Sequence, residues 1–296
     1  MLNIEDKISL STCCCSNLFH NGYQMLEYIA NLGFKNVELS HGIRTEHIPG
    51  ILKAVEDKII NVSSVHNFCP LPPGINFSSP NLFKPSSGNK LEVKLWAKYT
   101  KSTIDLAKSV NADSIVIHLG SVWFFFKSPK LKLNELIKNK KLPIQKMIFD
   151  EEFLKVRDAT MNRIKRSSKK EYKNLYANII SLLDFIVDSN IVIAIENREG
   201  FDELPLDGDY KSFISGLDDN SNFRYWHDVG HAEIKSQFGL LNHISHLKDI
   251  REYLIGFHFH DVSTSGMDHQ EIGTGIVDFE KILDFYGMLQ TIFIKM

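Results

Sequence analysis

The sequence predicts an α/β fold of the eight-stranded parallel barrel type, the (β/α)8 or TIM barrel. Three observations carry this expectation. Short β-branched apolar runs alternate with stretches of helical apolar spacing along most of the chain. Three of the runs, IVIAIE, FRYWHD and LIGFHFH, end in carboxylate or imidazole side chains, as strands do when they deliver chemistry at their C-terminal tips. No glycine-rich phosphate loop follows the first strand, where CCCSNLFHNG stands in place of GxGxxG, which argues against the alternative of an open doubly wound sheet.

The strands are expected at Ile8–Thr12, Asn36–Leu39, Ile59–His66, Ser114–His118, Ile191–Glu196, Phe223–Asp228, Leu254–His260 and Thr291–Ile294, each a short run rich in β-branched or aromatic residues. Helical spacing falls between them at Tyr23–Ala30, Ile48–Val55, Leu91–Val110, Tyr172–Asp188, Tyr210–Gly216, Ile244–Arg251 and Asp278–Tyr286. Strand, helix, strand repeated in this way calls for parallel pairing through right-handed crossovers, and eight such strands can close on themselves.

Two segments break the regularity. Residues 123–170, opening with WFFFK, are too long for an ordinary loop after the fourth strand and read as a functional insertion covering the pocket. Its densest basic run, NRIKRSSKK at 162–170, fits a solvated helix face, with a phosphate-bearing substrate or a nucleic-acid backbone as the functional alternatives. After the eighth strand only Lys295 and Met296 remain, so the final helix of a complete barrel is expected to be missing. The flank left uncovered would need protection, and a homodimer contact there is the expectation.

At 296 residues, 43% hydrophobic and 24% charged, the chain is long enough for one barrel domain spanning residues 1–296. A formal net charge of -2 gives no global reason to expect nucleic acid or an anionic membrane as partner. No apolar stretch is long enough to span a bilayer, and MLNIEDKISL has acids where a signal peptide has bases, so a cytoplasmic location is expected. Cys13, Cys14 and Cys15 are consecutive and make a poor disulfide framework; they are expected to be reduced thiols at a strand end.

Under a barrel, Glu196, Asp228 and His258 reach the same rim from the fifth, sixth and seventh strands. This mixed carboxylate and imidazole set suits Mn²⁺, Zn²⁺, Mg²⁺ or Co²⁺ and argues against thiolate-bound structural zinc. His66 and His118 end the third and fourth strands, His231 lies three residues beyond Asp228, and His269 stands in MDHQEIGTG. With Glu38 near the end of the second strand, they outline a polar pocket for a polyhydroxylated or anionic ligand.

VEL at 37–39, IHLG at 117–120, IEN at 195–197, DVGH at 228–231, HFHD at 258–261 and HQEIGTGIVDF at 269–279 together resemble the xylose-isomerase-like barrel superfamily. That group includes sugar and sugar-phosphate isomerases and epimerases and nucleases of the endonuclease IV type. The resemblance covers almost the whole chain. It implies Glu196, Asp228 and His258 as metal ligands, Glu196 doubling as the acid/base, and His231 at a substrate oxygen. His66, His118, Glu38, His260 and His269 would be substrate-facing, with His260 more a support than a ligand.

The same resemblance implies a glutamate at the end of the eighth strand, where Lys295 stands; either another acid such as Glu199 or Asp261 substitutes, or the metal is held weakly with more water, or the chain is catalytically impaired. The function implied is a metal-dependent isomerase or epimerase acting on a sugar or sugar phosphate by proton transfer next to a carbonyl. An endonuclease IV-like zinc nuclease is one alternative. Its ligand counterparts would be His66, His118, Glu196, Asp228, His231, His258 and His269, with the loop acid lost at Met267. A non-catalytic sugar-binding barrel is the other.

Overall fold

The computed structural model describes residues 7–140, 142–217, 222–285 and 293–294. Eight parallel strands close into a barrel in chain order: β1 Ser9–Ser11, β2 Asn36–Leu39, β3 Asn61–His66, β4 Ser114–Ile117, β5 Val192–Glu196, β6 Phe223–Asp228, β7 Leu254–Phe259 and β8 Phe293–Ile294. The eighth strand pairs with both β7 and β1, through His258 with Phe293 and Leu10 with Ile294, which completes the ring. Lys295 and the flank beyond β8 lie outside the described residues.

Helices cover the outside. Asn21 caps α1 Gly22–Asn31 by accepting from Tyr23 N–H, and proline in the first turn opens α2 Ile48–Glu56. Asn89 accepts from two N–H groups at the start of α3 Lys90–Ser109. The insertion after β4 builds α4 Pro129–Lys140, α5 Ile144–Met147 and α6 Glu151–Ser167. The single helix expected over Tyr172–Asp188 is two, α7 Lys169–Ile180 and α8 Leu183–Ser189. Between them the chain tightens, with Leu182 N–H donating to Ile179 O and Ser181 Oγ to Asn178 O. The remaining helices are α9 Tyr210–Gly216, α10 Val229–Gln237, α11 His243–Ile250 and α12 Phe279–Leu283. Of these α10 has no counterpart in the apolar periodicity, because Asp228 starts it by capping the His231 N–H rather than through an amphipathic pattern.

The insertion has its own apolar cluster, Leu133, Ile144, Met147 and Phe153, seated against Phe201 of the loop after β5 and Phe238 beyond α10. Arg157 Nη1 ties it down by donating to the carbonyls of Phe238 and Gly239. The basic run at 162–170 buries Ile164 and Ser168 and leaves its Lys and Arg side chains in solvent, as a solvated helix face does. All four cysteines are free thiols.

Inside the barrel, residues two apart on each strand stack in layers, because side chains alternate across a strand. Val116, Ala194 and Trp226 form the lower layer, and His118, Glu196 and Asp228 stand two residues further along the same strands. Gly256 makes room for the indole: a Cβ there would come 2.3 Å from Trp226 Cζ3. Gly256→Ala is therefore expected to destabilise the fold by about 1–3 kcal/mol in urea titration, as overpacked cores do. A neutral substitution would mean that Trp226 has room to move.

Candidate functional site

The strand tips converge on one buried cluster. Glu196 at the end of β5 is its hub, with Oε2 2.6 Å from His118 Nε2 and 3.3 Å from His66 Nε2. Its Oε1 lies 2.9 Å from His258 Nδ1, and the Arg198 guanidinium stands 3.6 Å from Oε2. Asp228, at the end of β6, has Oδ2 3.8 Å from the same His258 nitrogen. Three of the donor groups capable of holding a metal ion meet here: His66, His118 and Glu196; Glu196, Asp228 and His258; and Asp228, His231 and His260. In each, the candidate ligand atoms lie within 4.8 Å of one another.

Hydrogen bonds on the far side of each ring decide which nitrogen carries a lone pair. His66 Nδ1 lies 3.0 Å from the Asn67 carbonyl and His231 Nδ1 3.0 Å from the Asn197 carbonyl, so in both rings Nδ1 donates outward and Nε2 is turned toward the cluster. His66 Nε2 thereby faces Glu196 Oε2, 3.3 Å away. Orientation of an imidazole by an outer acceptor is also how metal-ligating histidines are held. His258 has the same support from Glu38, whose Oε2 is 3.1 Å from its Nε2 and also accepts from Ser64 Oγ at 2.9 Å. Glu38, expected to face substrate, thus sits beneath His258 with only 1% of its surface exposed. His260 is committed at both nitrogens: Nδ1 accepts from His269 N–H at 3.0 Å, and Nε2 donates to Asp228 Oδ1 at 2.9 Å.

Electrostatics follow from burial. Desolvation pushes the Glu196 carboxyl up, but His258 and His118 outweigh it and hold it well below its ordinary range. Burial acts the same way on Asp228, and there His231 and His260 prevail. Burial keeps His231 neutral by lowering it to about 3, and with Arg198 it depresses His118 as well. His258 goes the other way: burial opposes its charge, yet Glu38 and Glu196 raise it to about 9. Buried carboxylates answered mostly by neutral imidazoles suit a divalent cation.

Several residues differ from expectation. The loop acid is not lost at Met267, which is exposed; Asp268 beside it supplies the carboxylate, 2.9 Å from His269 Nδ1 and 3.9 Å from His231 Nε2. Asp261 is no substitute ligand, because its Oδ1 accepts from Val262 and Val277 N–H and its Oδ2 from Gly273 and Gly275 N–H, which shapes the loop. Glu199 is exposed and groups with His231 and Asp268 at the rim. His269 is half exposed, has φ 54°, and stacks on His260 with ring centroids 4.4 Å apart. Arg198, Asn197 and His41, whose ring meets His66 edge-on at 4.7 Å, had not been singled out in the sequence. Arg198 was legible in principle, since position 198 repeats the strand alternation of Glu196.

The raised His258 fixes a pH dependence for the metal-free protein. Its folded value of about 9 lies above the ordinary 6.5, so its stabilisation is complete below 6.5 and is lost as pH rises through 9. Thermal unfolding with chelator present should show a fall in Tm across this window that is flattened in Glu38→Gln, which removes one of the two carboxylates. Equal slopes in the two proteins would contradict the assignment.

The profile of the xylose isomerase-like TIM barrel family matches residues 26–285. A comparison with curated proteins finds no match. Among solved structures, a D-tagatose 3-epimerase-like protein superposes with TM-score 0.67 at 17% identity, covering 98% of this chain and 90% of that one. The 3-keto-D-glucoside 4-epimerase of E. coli, in its apo form, gives 0.65 at 15% identity with 98% and 91% covered. A putative xylose isomerase from Rhodospirillum rubrum gives 0.70 at 13% identity with 97% and 89% covered. At these identities the superpositions establish the fold. With the profile match spanning most of its length, the chain belongs to the xylose isomerase-like TIM barrel family.

Proposed function

We propose that the protein is a metal-dependent isomerase or epimerase that moves a proton at the carbon next to the carbonyl of a sugar or sugar phosphate. The observation that carries this reading is the buried grouping of Glu196, Asp228 and His258 at the mouth of a barrel of this family. The similarity of the fold to sugar epimerases supports a sugar as the substrate class. These three residues would hold the metal, with Glu38 and His260 orienting His258 and Asp228 from behind. When bound, a divalent ion supplies Lewis-acid polarisation of a substrate carbonyl and hydroxyl.

The chain's own groups supply the rest. Glu196 takes the proton from the carbon next to the carbonyl and delivers it to the former carbonyl carbon, which isomerises the sugar; epimerisation requires a second acid to return a proton on the opposite face. Arg198, 3.6 Å away, steadies the charge of Glu196. Neutral His231 presents the Nε2 lone pair to a substrate hydroxyl, since its Nδ1–H is engaged by the Asn197 carbonyl. His66 and His118 line the wall beside Glu196, and His269 and Asp268 form the outer rim.

A second reading, hydrolysis of a phosphodiester by a multi-zinc site as in endonuclease IV-type nucleases, is favoured by one specific observation. His66, His118 and Glu196 form a separate donor group, and His231 and Asp268 belong to another with Glu199, so more than one ion can be accommodated.

Metal analysis of the purified protein separates the two. The isomerase reading expects about one divalent ion per chain, lost in Glu196→Gln and His258→Ala, with deuterium entering a keto-sugar from D₂O. Two or three zincs with cleavage at an abasic site would decide for hydrolysis. No bound metal at neutral pH would sink both. Metal binding must also displace the His258 proton, so apparent affinity should climb with pH up to about 9 and level off above it.

A further inference from the structure

The insertion and the loops after β3 and β4 enclose a cavity of about 510 Å³ that shares no lining residue with the cluster around Glu196. One wall is aromatic: Trp123 and Phe126 are 65% and 77% exposed, and Phe124 stands between them in sequence. The lining also includes the polar residues Ser121, Asn174 and Glu171. Glu171 is only 7% exposed, yet its Oε2 is buried without a hydrogen-bond partner among the described residues. A carboxyl oxygen in that position costs free energy unless a donor reaches it, and Glu171 is a buried acid among the residues that line the cavity.

The charge of the lining narrows the ligand. Lys130 Nζ pairs with Asp202 at 2.7 Å, which leaves Lys84 and Lys170 balanced by Glu92 and Glu171, so the lining has no excess positive charge to select an anion. The Lys84 ammonium is already engaged by Ser121 Oγ at 3.2 Å. Aromatic side chains in one lining with hydroxyl, amide and carboxyl groups suit a ring with an apolar C–H face and a hydroxylated edge. Ser121 lies three residues beyond His118, so the cavity begins at most about 11 Å of chain from the wall of the metal-capable cluster.

We propose that this cavity is a saccharide subsite, which holds the non-reacting ring of a substrate larger than a monosaccharide. Only the identity of the reacting ring rests on the sugar isomerase reading; binding in the cavity does not.

Of the three tryptophans, Trp96 and Trp226 are buried, so acrylamide quenching of the intact protein reports on Trp123. Maltose, cellobiose, lactose and sucrose would be titrated against glucose, fructose and inorganic phosphate, in the wild type and in Glu196→Gln. At least one disaccharide should protect Trp123 saturably in both proteins, at concentrations about tenfold lower than either monosaccharide. Glu171→Gln should weaken that protection about tenfold, the loss of a charge-assisted hydrogen bond. Phe126→Ala, at a side chain exposed enough to leave folding alone, should weaken it as well. Protection by no disaccharide, equal protection by phosphate, or indifference to both variants would overturn the subsite. Failure of the D₂O exchange with protection intact would overturn the isomerase reading alone.

Discussion

Two carboxylates, Glu196 and Asp228, are buried at the mouth of the barrel, and the surrounding structure is arranged to keep them ionised. An uncompensated buried carboxylate is far too costly for a fold of marginal stability. Compensation comes from several strands at once: His66 and His118 after β3 and β4, Arg198 beyond β5, His258 on β7 and His260 just past it. Since these groups come from β3, β4, β5 and β7, those strands have to assemble before the charges are met. The same shortfall of fixed positive charge makes this donor set suited to a divalent cation.

Beneath the cluster the barrel is dry and tightly filled. Trp226 occupies the space that Gly256 vacates, so it forms a floor on which Asp228 and His258 stand two residues higher. Behind the cluster, a further ring of polar groups removes its remaining freedom. Glu38, Asn67 and Asn197 each accept from an imidazole and the His269 amide N–H donates to one, which sets the nitrogen that each ring turns inward. Asp261 performs the corresponding task for the loop that carries Asp268 and His269, through four backbone N–H groups.

The insertion adds a second level of organisation outside the barrel. Its apolar cluster is anchored on Phe201 and Phe238, while its aromatic run at 123–126 and the start of α7 turn toward a separate cavity. The metal-capable cluster at the strand tips and the cavity beside the insertion are thus carried by different parts of the chain, as expected when a rigid barrel positions variable loops.

Much of this was legible in the sequence, for a definite reason. Strand and helix positions follow from local apolar periodicity, and the strand tips announce themselves because Glu196, Asp228 and His258 terminate apolar runs that offer no other place for a charge. The split of the helix after the insertion and the existence of α10 were not legible, since a tightened turn and a side-chain cap leave no periodic trace. The sequence offered Asp261 as a substitute acid; only the folded loop shows that its oxygens are spent on backbone N–H groups. By itself the sequence determined the barrel and the residues delivered to its rim, because both depend on spacing along one chain. The tertiary structure decided which of those residues face a common centre, which nitrogen each imidazole presents, and that Glu171 borders a cavity of its own, because those properties depend on contacts between segments far apart in the chain.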